Sequence, residues 1–295
     1  MDTVLNLKAF IETARAGSFS AAGRKLGLAP SVITKRVDQL EWRVKAQLFT
    51  RTTRKVLLTE SGEHFLPRAR KLVHELEEMM NGAATVSTGM VGRIRLKLPS
   101  TLGVVFLAKT LSAFQRTYPG VSLNVVTIDR SVNPAEEEFD IAIGALPVVY
   151  AGVVDEPLCV YPRLACAAPA YLAAHGAPQH PHDLSDHECL IFTPSGTAWT
   201  FQSSGGMLVV EGKSNFSANN SHILLAAARE GRGIAVLART IAQPALLAGE
   251  LVPLLEAYPI PDLWLRALVP KARINVPHVR ALLDWFKREL PASGI

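Results

Sequence analysis

Cysteine is scarce, with three in 295 residues. An odd, small number offers no disulfide framework and suits a reducing compartment, so a cytoplasmic protein is expected. Long apolar runs are missing too. The nearest, Ile223 to Ala228, falls far short of the roughly 18 residues a spanning helix needs, so no membrane partner is expected. The opening MDTVLNLKAF has no basic segment ahead of an apolar stretch with a cleavage site, so export is not indicated. Signatures of catalysis are lacking as well. There is no Gly-x-Ser-x-Gly elbow and no metalloprotease helix, and Gly231 and Gly233 lack the third glycine and helix opening of a nucleotide loop. His180, His182, Asp183, Asp186, His187 and Cys189 crowd one segment, but their spacing fits no structural zinc pattern and reads as a polar loop. Cys159 and Cys166 lie in strand-like apolar sequence, where buried thiols are the rule. No catalytic residue, metal or cofactor is assigned, and an enzyme is not expected.

What is present is ample apolar material, 48% of residues, enough for about two packed domains. The net charge of +5 is unevenly distributed. Residues 1–74 hold 14 Lys and Arg against 6 Asp and Glu, whereas residues 75–295 hold 17 against 20. A basic head on a slightly acidic body is what a polyanion-binding module attached to a regulatory module would show, because phosphate neutralisation supplies most non-specific DNA affinity. A solvated basic face is the plain alternative.

Within the head, Leu7, Phe10, Ile11 and Ala14 recur at helical spacing, predicting a helix over about 4–16 that ends near Gly17. SFSAAGRKLG is a second, short helix stopped at Gly27, and Pro30 opens a third that runs to about Val44. Two short helices joined by a tight glycine turn make a helix-turn-helix, whose second helix lays its N-terminal residues against base edges in the major groove. Those residues are Ser31, Val32, Thr34, Lys35 and Arg36. The hydroxyls suit bases or phosphates, Val32 a thymine methyl, and the two cations phosphates or a guanine. The alternation in LFTRTTRKVLLTESG predicts a two-stranded wing from about Phe49 to Leu58 carrying Arg51, Arg54 and Lys55, residues suited to the DNA backbone or minor groove. Thr59 is placed to cap a following helix.

GSFSAAGRKLGLAPSVITKRVDQLE followed by LFTRTTRKVLLTESG resembles the signature of LysR-type transcriptional regulators over about sixty residues. One departure stands at the entrance to the recognition helix, where Ala29 and Pro30 replace the usual Ser-Gln and remove a capping hydroxyl and a base-reading amide. From Glu60 to about Thr88, Phe65, Leu66, Ala69, Leu72, Val73, Leu76, Met79, Met80 and Ala83 form a coiled-coil stripe that asks for a second copy, with Pro67 bending its first turns. The resemblance implies a homodimer or homotetramer on an inverted-repeat operator in double-stranded DNA, with RNA polymerase as a further partner.

After Gly92 strands alternate with helices: GRIRLKLPS, a helix over 103–117, SLNVVTI, FDIAIG, then a second set from Leu164 and a last helix PHVRALLDWFKREL. This predicts parallel α/β sheets in two lobes around a cleft. The expected fold class is an all-α winged helix-turn-helix plus an α/β two-lobed effector domain like periplasmic binding proteins. Its boundaries are 1–59, a linker helix 60–90, and 91–295, with lobe 1 at about 91–161 and 267–295 and lobe 2 at about 162–266. Strand-to-helix turns present hydroxyls and free amides to anions, which selects Ser100 and Thr101. By position in the family pattern, the resemblance adds Asp129, Ala167, Phe201 and Asn220. Gly144 stands where relatives often carry arginine, so the cleft is expected to be less cationic and its small-molecule effector neutral or aromatic, if there is one. The expected function is a DNA-binding regulator modulated by that effector. The competing assignment is a solute-binding or enzymatic α/β protein whose basic head serves assembly.

Overall fold

In the N-terminal unit, residues 1–89, chain punctuation sets the helices. The computed structural model describes residues 2–51, 56–83 and 89–292. Helix α1 (Thr3–Ala16) begins where the Asp2 carboxylate accepts the amides of Val4 and Leu5 and ends at Gly17, whose φ of 62° few other residues adopt cheaply. Helix α2 (Phe19–Leu26) is capped by the Ser18 hydroxyl and ends at Gly27, also left-handed. Helix α3 (Pro30–Val44) starts on proline with no side-chain cap from Ala29. Strands β1 (Phe49–Arg51) and β2 (Val56–Leu58) pair antiparallel as the wing, Phe49 opposite Leu58. Helix α4 (Glu60–Ala83) follows and runs unbroken through Pro67.

One apolar core unites these elements. Leu7, Phe10, Ile33, Val37 and Leu40 from the first and third helices meet Leu48 and Phe49, and α4 closes the core with Ala69 and Val73. Phe10 lies 5.2 Å from Phe49 and 5.6 Å from Phe65 between ring centroids, in tilted and edge contacts. The stripe expected to serve a second copy is therefore split. Ala69 and Val73 pack inside their own head, with Phe65 and Leu66 against them, while Leu72 is 56% exposed. The side chains of Met79, Met80 and Ala83, and the whole of 84–88, lie outside the described residues.

The second unit covers residues 90–295. Its first lobe opens with β3 (Gly92–Leu98), α5 (Ser100–Leu102), a π-helical turn (Gly103–Leu107) and α6 (Ala108–Thr117), so the helix expected from 103 starts three residues earlier. Strands β4 (Val121–Thr127), β5 (Ile141–Gly144) and β6 (Val153–Tyr161) complete the outward path. The chain crosses at Pro162 into β7 (Arg163–Ala167), α7 (Pro169–His175), β8 (Cys189–Phe192), the hairpin β9 (Ala198–Ser203) and β10 (Gly206–Glu211), β11 (Phe216–Ala218), α8 (Ser221–Arg229), β12 (Ile234–Ala238), α9 (Arg239–Leu247) and β13 (Val252–Leu254). It returns through β14 (Leu263–Pro270) to α10 (Pro277–Ala292).

The sheets run β4-β3-β5-β14-β6 and β11-β8-β12-β7-β13. Neither is purely parallel, as the alternation had suggested. β14 arrives from the other lobe and pairs antiparallel with β5 and β6, and β7 is antiparallel to β12 and β13. The return crossing also precedes Leu263, because all of β14 belongs to the first sheet, whereas a boundary at 267 would cut the strand. Lobe 1 packs its sheet against α10 through Val279, Leu282, Leu283 and Phe286, and lobe 2 has an apolar cluster on each side of its sheet.

The α2–α3 turn leaves no room beyond hydrogen at position 23: a Cβ on Gly23 would stand 2.6 Å from the Leu28 carbonyl oxygen, which is backbone and cannot step aside. Gly23→Ala is expected to destabilise the head by about 1–3 kcal/mol; amide hydrogen exchange in α2 and α3 measures it, and unchanged protection would contradict the expectation.

Candidate nucleic-acid interface and ligand cleft

The buried side of α3 carries Ile33, Val37 and Leu40, at three- and four-residue steps. That fixes the opposite side outward: Ser31, Val32 and Lys35 are exposed, Thr34 and Arg36 half-exposed. The Thr34 hydroxyl donates to the Pro30 carbonyl at 3.1 Å, so it meets a ligand only as an acceptor. Arg43 donates to the Thr3 hydroxyl at 2.6 Å and Asn6 to Gln39 at 3.3 Å, which fixes α3 on α1.

Sequence reasoning missed what places the wing. One carboxylate oxygen of Glu41, on α3, accepts the amides of Leu48 at 2.7 Å and Phe49 at 3.0 Å, fastening the start of β1 to the third helix. Charge-assisted bonds of this kind are roughly twice as strong as neutral ones. Arg51 ends β1, but its side chain lies outside the described residues, as do Arg54 and Lys55 entirely. Thr59 takes its expected place, accepting the Gly62 amide at 3.0 Å at the head of α4.

In the second unit a cavity of about 520 Å³ lies between the lobes. Thr101 and Asp129 line it. Ser100 contributes its backbone instead: its amide donates to Asp129 Oδ1 at 2.7 Å, so the amide expected to hold an anionic ligand already holds one of the protein's own carboxylates. The other Asp129 oxygen accepts Asn220 Nδ2 at 3.5 Å from the second lobe, while Asn220 Oδ1 caps α8 through the His222 amide. Ala167 and Phe201 are corrections. Both are 0% exposed in the second lobe's core, Ala167 on a strand covered by apolar residues on both faces and Phe201 on the inward face of β9, and neither lines the cavity.

The cleft is also more cationic than Gly144 suggested. Lys97, Arg130, Arg163 and Arg266 all border it, and Arg266 is the cross-strand partner of Gly144. Arg130 pairs with Glu137 at 2.7 Å and Arg266 with Asp155 at 2.6 Å. Lys97 is 4% exposed, and its Nζ donates to the Ile143 carbonyl at 3.2 Å. Burial pushes its pKa down to about 8, against the pull of Asp129. Arg163 donates to the Pro261 carbonyl at 3.0 Å, tying one crossing to the other, while its Nε is buried with no partner. Nothing in the sequence signals Lys97, because GRIRLKL alternates cations at 93, 95 and 97 with Ile and Leu, as a strand with one wet face would.

The segment His180–Cys189 folds on itself. Asp183 accepts the amides of Gln179 and His180, and the Tyr171 hydroxyl lies 3.2 Å from His187 Nδ1. Among the described residues no three His, Cys, Asp or Glu side chains converge as a metal site. Cys159, Cys166 and Cys189 are buried and unpaired, and burial raises the pKa of each thiol. No helix among the described residues is long and apolar enough to cross a membrane.

Comparison with known proteins agrees with both halves. Residues 5–63 match the family model of the bacterial regulatory helix-turn-helix protein, LysR family, and residues 87–291 that of the LysR substrate binding domain. The probable HTH-type transcriptional regulator LtrA of Klebsiella pneumoniae is 30% identical across 97% of this chain and 94% of its own length. The full-length structure of AphB, a virulence activator of Vibrio cholerae, superposes with a TM-score of 0.64 at 25% identity over 97% of this chain and 98% of that one. CrgA, a LysR-type transcriptional regulator from Neisseria meningitidis, does so with a TM-score of 0.61 at 27% identity over the same shares. The chain belongs to the LysR-type transcriptional regulators, with a helix-turn-helix domain and an effector-binding domain.

Two outcomes follow from the buried groups. In the native protein none of the three thiols is expected to react rapidly with an aromatic disulfide reagent, and all three should titrate once denaturant is added; a fast native equivalent would contradict their burial. For Lys97, the folded pKa of about 8 lies below the ordinary 10.5. The unfolded chain then binds more protons between these values, so the Lys97 contribution becomes less unfavourable as pH rises through that window. Lys97→Met is expected to stabilise the protein at pH 7 by up to about 3 kcal/mol, a gain that shrinks above pH 8. Denaturation at pH 7 and 9 reads it, and a gain independent of pH would be inconsistent with a buried ammonium.

Proposed function

We propose that this regulator reads duplex DNA through the N-terminal part of α3, with Ser31, Val32, Thr34, Lys35 and Arg36 facing the major groove. Arg51 and Arg54 of the wing reach the backbone or minor groove beside it. The observation that carries this reading is the division of α3 itself, one side apolar and sealed in the core, the other polar, cationic and open. Thr34, with its proton already donated, accepts rather than donates.

Two heads act together as a homodimer or homotetramer on an inverted repeat, joined through the face of α4 that the head leaves uncovered from exposed Leu72 onward. The working domains are the head at 1–59, the helix from 60 to about 90 and the regulatory domain from 91. A small molecule entering the cleft changes the angle between the lobes, and the assembly converts that change into a different bend in the DNA and a different contact with RNA polymerase. Thr101 and Asp129 touch it, Ser100 and Asn220 hold Asp129 in place, and Ala167 and Phe201 support the wall from behind.

Salt titration tests the DNA half. Log affinity for an operator duplex should fall linearly with log salt, and Lys35→Ala should lower the slope by about one. Affinity insensitive to salt, or unchanged in Lys35→Ala and Arg36→Ala together, would return the basic head to a role in assembly.

A further inference from the structure

We infer that Trp42 is a further DNA-contact residue of α3, its indole laid on a deoxyribose and its Nε1–H donated to a phosphate at the wall of the major groove. The inference rests on the reading of α3 as the groove-facing helix.

Trp42 is 77% exposed, the largest apolar side chain that the head leaves in water among the described residues. It belongs to no apolar cluster, and among the described residues it meets no other ring and shares no hydrogen bond. A single exposed apolar residue is ordinary, so what matters is where this one stands. With about 3.6 residues per turn, Trp42 lies close to three full turns beyond Ser31 and two beyond Lys35. Ser31, Lys35, Asp38 and Trp42 therefore form one line along α3, opposite the buried Ile33, Val37 and Leu40. The indole continues the side already proposed to face DNA. A protein partner seated on it would have to share that line with the duplex engaged by Ser31 and Lys35.

Length decides which part of the duplex it meets. From Ser31 to Trp42 the helix rises about 16 Å, more than the roughly 12 Å width of the major groove. With the first turn of α3 among the bases, its last turns stand at the groove wall, where the sugar-phosphate backbone runs. Asp38 excludes a helix lying flat along one strand, because a carboxylate on the same line would meet phosphates. Over base edges a carboxylate is tolerated, since the amino group of cytosine donates to it.

The chemistry of the side chain narrows the contact further. An indole offers one donor and no acceptor, which suits phosphate oxygens and not the mixed edges of the bases. Its flat apolar ring suits the face of a deoxyribose. More than half of protein–DNA hydrogen bonds go to phosphate and sugar, and they set register without reading sequence. Because the donor is neutral, the contact releases no counterion of its own.

The test uses the full chain and an operator duplex that it selects from a random-sequence pool. Trp42→Ala is expected to weaken binding about tenfold, with sequence preference and the log–log salt slope unchanged. Trp42→Phe, which keeps a flat ring and drops the donor, is expected to fall between. Replacing single phosphates by uncharged methylphosphonates marks the contact: at one position the replacement costs the wild type affinity and costs Trp42→Ala nothing. The other three tryptophans, Trp199, Trp264 and Trp285, belong to the regulatory domain. The difference in emission between wild type and Trp42→Phe therefore isolates the exposed indole, and duplex is expected to shift or quench that difference. Both variants should melt as the wild type does; should either melt lower, the emission difference decides. Affinity unchanged in Trp42→Ala, an emission difference indifferent to duplex, or a salt slope lowered as in Lys35→Ala removes the contact assigned to Trp42 and leaves the reading of α3 standing. Should no duplex be enriched, or Lys35→Ala bind as the wild type does, that reading fails and the inference with it.

Discussion

Only two stretches of chain join the lobes of the regulatory domain, one at Pro162 and one over residues 255–262, and a single guanidinium ties them together. Everything else about the cleft depends on that constraint. Each lobe has its own sheet, and the first lobe's buried cluster reaches across to Ala238 and Ile241 of the second. A change of angle between the lobes would repack that shared contact and leave the rest of each interior alone, because packed cores resist deformation far more than a pair of connecting strands does. The hydrogen bond from Arg163 to Pro261 sits where such a rotation would be absorbed, and the bridge from Asp129 to Asn220 spans the opening itself.

Both halves of the molecule use positive charge, in opposite ways. On α3 Lys35 stands in water, where a cation is cheap to keep and adds to the pull on a polyanion. In the cleft Lys97 is enclosed, and its ammonium is maintained against burial by nearby acids. The exposed kind gives reach without much selectivity, whereas the enclosed kind depends on the acids and the carbonyl placed around it.

Legibility in the sequence followed the range of the interaction. The head was readable because its signals are local: helical spacing of Leu7, Phe10 and Ile33, left-handed Gly17 and Gly27, Pro30 at a helix start, Thr59 at a cap. The division into two α/β lobes was readable for the same reason. Glu41 was not, since its partners lie seven and eight residues on and are backbone amides that have no letter of their own. Ala167 and Phe201 were placed by family position, whereas β7 is covered on both faces and the alternation of β9 turns Phe201 into the core. The charge of the cleft was misjudged because Gly144 was considered alone; the arginine beside it arrives on β14, more than a hundred residues later.

The Glu41 bond fixes more than a strand. With the beginning of the wing fastened to the helix proposed to face the groove, the head behaves as a calliper of set span. A duplex meeting such a gauge must do the adjusting, through groove narrowing or a kink at a pliable step, and sequences differ in what that adjustment costs. Part of the selection among operators then resides in the stiffness of base pairs that no side chain of the protein touches.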